Sequence, residues 1–83
     1  MNTSRLQEVL SVGAVFHPHQ RPSPKWFIWQ NRKYLIERVE SRWQSREGQS
    51  VILHYSVSSL GNVYQLSLNT NTTQWVLEQA ASL

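Results

Sequence analysis

The sequence predicts an all-β fold: a small antiparallel meander of five or six strands forming a partly open barrel, with an N-terminal arm. Three observations predict it. Val51, Leu53, Tyr55 and Val57, then Tyr64, Leu66 and Leu68, alternate with mostly polar neighbours, which is the period of half-buried strands. Turn-forming clusters, Ser59-Leu60-Gly61-Asn62 and Asn69-Thr70-Asn71-Thr72, bound these runs. Pro18, Pro22 and Pro24 push their neighbours into extended conformations and block helix just before the first of the later strands.

The N-terminal arm covers residues 1–24. Ser4 followed by Gln7 has the form of a capping box, and Leu6, Val9 and Leu10 have helical spacing, so a short helix over 1–10 is one reading. Residues 12–17 read as a short extended run, and His17 to Pro24 as a loop. The β domain then covers residues 25–79. Its first strand, about 25–30, carries Phe27 and Trp29 on one face and Trp26 and Ile28 on the other. Such a strand must be covered twice. Asn31-Arg32 is the expected tight turn into a long second strand, 33–43, because Asn tolerates positive φ. Tyr34 and Ile36 set one face of that strand, but Val39 is out of phase, so a β-bulge is expected near Glu37-Arg38. A polar loop at 44–50, three more strands and a frayed tail at 80–83 complete the chain.

The 83 residues suffice for one domain, which buries only roughly 60–65 % of its unfolded surface. With no cysteine there is neither a disulfide nor a thiolate metal site, which fits a reducing, cytoplasmic setting. No stretch approaches the ~20 apolar residues of a membrane span. Net charge is +3 and unevenly placed. All eight basic residues precede position 47, and Arg21, Lys25, Arg32, Lys33, Arg38, Arg42 and Arg46 share their segment with three tryptophans. Basic residues interleaved with aromatics can grip a phosphate backbone and stack on bases, although the same pattern also makes a solvated rim.

Catalytic patterns are sparse. Aspartate is absent and the five glutamates are scattered. A hydrolytic triad would need a serine, His54 and a glutamate. Ser56 shares a strand face with His54 but is too far along the strand for a dependable hydrogen bond, so His54 is expected as a surface histidine on a polar face. His17-Pro18-His19 could begin a metal site, yet no cysteine or aspartate stands near it. No phosphate-binding glycine loop is present, since Gly13, Gly48 and Gly61 stand alone. Neither catalytic residues, nor a metal site, nor a cofactor is expected.

The aromatic residues are the remaining signal. Trp29, Tyr34, Tyr55, Tyr64 and Trp75 fall at inward positions and are expected in the core. Trp43 is expected as a hydrophobic plug at the barrel end; exposed beside Arg42 and Arg46, it would instead be a stacking platform.

The spacing Phe27-x-Trp29-x-x-Arg32-x-Tyr34-x-Ile36-x-x-Val39-x-x-x-Trp43 is followed by Tyr55-x-Val57, Gly61-x-x-Tyr64-x-Leu66 and Trp75-x-Leu77. It resembles a family of small uncharacterised bacterial β-domains, some associated with translesion DNA polymerase proteins. Asn31 stands where that family typically has glycine, and the loop at 44–50 is unlike its usual tryptophan-containing connection. The resemblance implies a β architecture and, faintly, a nucleic-acid or repair context.

The function expected is therefore a non-catalytic interaction module that binds a protein partner through the basic, aromatic region 21–46, or self-associates through the Trp26/Ile28 face. The alternative is a nucleic-acid-binding accessory domain using the basic, aromatic region 21–46. The binding residues expected are Trp26, Arg32, Arg38, Arg42, Trp43 and Arg46.

Overall fold

The computed structural model describes residues 3–82, and all of its regular structure is strand. The strands are β1 (Thr3–Val15), β2 (Ser23–Trp29), β3 (Arg32–Leu35), β4 (Arg38–Glu47), β5 (Ser50–Ser59), β6 (Asn62–Asn69) and β7 (Gln74–Ser82). They form one antiparallel half-barrel in the order β3-β2-β1-β7-β6-β5-β4. The all-β expectation holds, but with seven strands in place of five or six.

The sixth and seventh strands come from two places. Residues 3–15, expected as an arm with a short helix as one reading, are an interior strand beside the central β7: the first part of β1 pairs with β7, and residues 11–15 pair with β2. Leu6, Leu10, Val12 and Ala14 all face the core at period two. Glu8 hides that period in the sequence. It occupies an inward position at the mouth of the barrel, where its carboxylate accepts the indole N–H of Trp29 at 2.7 Å. The expected long strand 33–43 is two strands, interrupted at Ile36-Glu37 where a bulge was expected. The chain changes partner there: β3 pairs with β2, and β4 with β5. A bulge does occur, at Glu40, between the pairs Val39↔Val57 and Ser41↔Ser56. The polar segment 44–47 extends β4, and the loop shrinks to Gly48-Gln49. Ala80 and Ala81, expected as a frayed tail, pair with β1 and β6, whereas Leu83 lies outside the described residues.

Two-residue turns set the register. Gln30 (φ 53°) and Asn31 (φ 60°) join β2 to β3, one position earlier than Asn31-Arg32, and Leu60 (φ 51°) with Gly61 (φ 77°) joins β5 to β6. Positive φ at both positions is the turn that matches strand twist.

The core lies inside the curve of the sheet. Phe27, Val57, Leu66 and Leu77 are fully buried, with Tyr34, Tyr55, Tyr64 and Trp75 around them. Phe27 stacks on Tyr34 (centroids 5.0 Å apart) and meets Tyr64 edge-on at 5.2 Å. These contacts hold the β2–β3 hairpin over β6, and such pairs add about 0.5–1.5 kcal/mol each beyond area burial. The gap between β2 and β4 is filled by the proline loop. Pro22 and Pro24 are buried, and the Tyr55 hydroxyl donates to the Pro22 carbonyl at 2.6 Å.

The other face of the β2–β3 hairpin is partly covered by its own sheet. Trp26 lies directly opposite Gly13 on β1, where any Cβ would overlap the indole, and Lys33 Nζ sits 4.7 Å from the ring centroid. Ile28 and Leu35 remain 41 % and 65 % exposed.

Two outcomes follow from these contacts. Gly13→Ala should push Trp26 off β1, red-shift tryptophan emission and cost about 1–3 kcal/mol in urea unfolding. Burial raises the Tyr55 phenol above its usual 10.0, partly opposed by Arg42 and Arg21. The stability this group contributes is complete below pH 10 and is lost as pH rises through the raised value. Tyr55→Phe should therefore unfold more easily at neutral pH, by about 1 kcal/mol, and show a shallower alkaline decline in stability.

Candidate functional site

β4 is an edge strand of ten residues, all but one of them exposed, and its two faces differ in chemistry. Cross-strand partners share a face. Arg42, Gln44 and Arg46 stand opposite Tyr55, Leu53 and Val51, which face the core, so these three lie on the concave side. The proline loop joins them there: Arg21 donates to the Gln44 side-chain carbonyl, and Arg42 to the Ser23 hydroxyl at 3.4 Å. Among the described residues, none of Arg21, Arg42 and Arg46 has a carboxylate within ion-pair distance. Trp43, Ser45 and Glu47 alternate with them and face the convex side.

Edge geometry adds unused backbone groups. Gly48 (φ 58°) begins the two-residue turn closing the β4–β5 hairpin at the pair Glu47↔Ser50. Antiparallel alternation then directs the ladder bonds of Glu47, Ser45 and Trp43 to β5, and leaves the N–H and C=O of Arg46 and Gln44 pointing away from the sheet.

The convex side holds a hydrogen-bonded chain. His54 is only 9 % exposed, not the surface histidine expected from the sequence. Its Nδ1 lies 3.1 Å from Glu78 Oε1, and its Nε2 lies 2.7 Å from Ser45 Oγ. A carboxylate only accepts, so Nδ1 carries a proton, and in the neutral ring Nε2 then accepts from the serine hydroxyl. Gln65 Nε2 donates to the same Glu78 oxygen at 2.7 Å. Trp43 stacks on the imidazole, with centroids 5.2 Å apart and planes 3° from parallel. The expected plug at the barrel end is thus a lid on His54, 39 % exposed.

A bulge aims Glu78. Gln65 pairs with Gln79 and Leu66 with Leu77, leaving Glu78 as the extra residue of β7. Leu77 and Ala80 both pack on the core, so Glu78 and Gln79 together occupy the convex side. Next to this chain is a cleft of about 180 Å³ lined by Glu47, Ile52, Ser67, Val76 and Glu78 among others. No sequence pattern relates Ser45 to Glu78. Only the pairing of Ser45 with Ile52, beside Trp43↔His54, brings the serine to the histidine.

The six expected binding residues do not form one patch. Arg42 and Arg46 are brought together with Arg21; Trp43 is on the opposite face of the same strand. Trp26 and Arg32 belong to β2 and β3, at the far end of the strand order, where Arg32 sits 5.6 Å from the Tyr34 ring centroid. Arg38 opens β4, its carbonyl accepting from Ser58 Oγ at 3.5 Å. Among the described residues no cluster of His, Cys, Asp or Glu could hold a metal ion, and no helix is long and apolar enough to cross a membrane.

No protein-family model, curated protein or solved structure significantly matches the chain. The likeness to small bacterial β-domains therefore rests on aromatic spacing alone.

Glu78→Ala should leave His54 Nδ1 and the Gln65 amide without their acceptor, at about 1–2 kcal/mol in chemical denaturation. Pairing it with His54→Leu should recover part of that loss, because both polar partners are then gone.

Proposed function

We propose that this protein is an interaction module that accepts an extended, acidic segment of a protein partner along β4. The observation that carries this reading is the open edge of that strand, with free backbone groups flanked by Arg42, Arg46 and Arg21. An added strand gains main-chain hydrogen bonds from the edge, and acidic side chains at alternate positions meet the arginines. Strand alternation disfavours single-stranded nucleic acid. A stacking platform needs its aromatic ring and its cations on one surface, whereas Trp43 and the Arg42/Arg46 pair face opposite ways. The absence of cysteine fits a cytoplasmic setting for such a module.

A fluorescent peptide of alternating Glu and Val is a direct probe. Its anisotropy should rise with protein, fall with salt, and weaken at least roughly tenfold in Arg42→Glu/Arg46→Glu. Equal or tighter binding of oligo-dT would favour the nucleic-acid alternative. A mass above monomer in light scattering, abolished by the same double variant, would identify a second copy as the added strand.

A further inference from the structure

We propose that Ser45, His54 and Glu78 form a nucleophilic site that takes short, neutral acyl groups from activated esters. The site is independent of the strand-adding edge and lies on the other face of β4. Serine attack on a carbonyl needs a base that removes the hydroxyl proton and a third group that fixes the base's tautomer. Ser45 Oγ is 2.7 Å from His54 Nε2, and Nδ1 is 3.1 Å from Glu78, so these roles are filled in series. His54 and Glu78 are held from outside the chain. Trp43 stacks flat on the imidazole, Gln65 donates to Glu78, and the β7 bulge turns that carboxylate toward β5. The nucleophile itself is exposed while its base is buried, as an attacking group and a water-shielded base require.

The neighbouring cleft defines the acyl class. Ser45 does not line the cleft but stands directly opposite Ile52, which with Val76 supplies the two apolar residues of its otherwise polar lining, so an acyl chain on Ser45 meets one apolar strip there. Glu47 and Glu78 border the same space and repel an anionic chain, and its volume of about 180 Å³ matches a short one.

The step balances within these groups. Ser45 Oγ bonds to the carbonyl carbon while its proton passes to His54 Nε2. The ester C–O bond then breaks, and the leaving alcohol takes that proton. Water, deprotonated by His54, later releases the carboxylic acid and restores the serine. The backbone N–H of Ser45 is engaged with β5, so it does not serve a developing oxyanion, and the acyl-enzyme should form and decay slowly. Covalent labelling is therefore a better readout than turnover.

The full chain is incubated with a fluorophosphonate probe and mapped by mass spectrometry. We expect one adduct, on Ser45, absent in Ser45→Ala, retained in Ser56→Ala, and formed at least tenfold more slowly in His54→Gln. Because His54 is buried, circular dichroism checks the fold of that variant. Glu78→Gln, which removes the negative charge at a partly buried site, is the second test and should also slow labelling. No adduct on Ser45 in the folded protein would overturn the proposal. So would an adduct whose rate is unchanged in a folded His54→Gln or Glu78→Gln variant: the chain would then be a structural hydrogen-bond network only.

Discussion

The half-barrel depends on β1 serving two neighbours. Its first part completes the β5–β6–β7 sheet, and its second part carries the β2–β3 hairpin. Because one strand belongs to both, the hairpin folds back over the concave side and sets Phe27 and Tyr34 against Tyr64. Aromatic contact then holds the curl that the backbone began. Gly13 belongs to the same device. It lies at the register shift between β1 and β2, and it alone leaves room for Trp26 on the outer surface.

Curling in this way leaves the barrel unclosed. β3 and β4 are consecutive in the chain yet end up as the two edges of the sheet. The turn between them is pinned to the end of β5 at one corner, where Glu37 N–H donates to the Ser58 carbonyl and Ser59 Oγ donates to the Leu35 carbonyl. Beyond that corner the proline loop takes the place of a ladder. A loop fills volume and satisfies the Tyr55 hydroxyl, but it does not pair with β4. The strand is therefore left with a free edge, whose bulge and charges discourage indiscriminate pairing.

Strands with unbroken alternation were legible in the sequence: β5 and β6 follow their apolar periods, and the five expected core aromatics face inward. Misreadings arise where one residue answers to a tertiary partner. Glu8 sits at an inward position because Trp29 needs an acceptor, and a β strand there looks like a helix start. Val39 is out of phase because the chain changes sheet neighbour, which a single-strand reading renders as a bulge. The Ser45–His54–Glu78 chain was illegible for a deeper reason: its three members come from three strands, and their approach depends on cross-strand register and on an extra residue in β7. Along one strand, His54 has only Ser56 for company. The same limit separated Arg42 and Trp43, neighbours in sequence that back onto opposite faces.

Thr3 pairs with Ala81, so the first and last described strands lie side by side in the middle of the sheet. During synthesis β1 emerges from the ribosome some seventy residues ahead of its main partner. It must wait with Leu6 and Leu10 uncovered until β7 is made. Only β1–β2–β3 and β4–β5–β6 can form earlier, each as a sheet lacking its centre. Completion of this fold is thus a single late event that joins two prepared halves, and slow, topology-limited folding is the natural result.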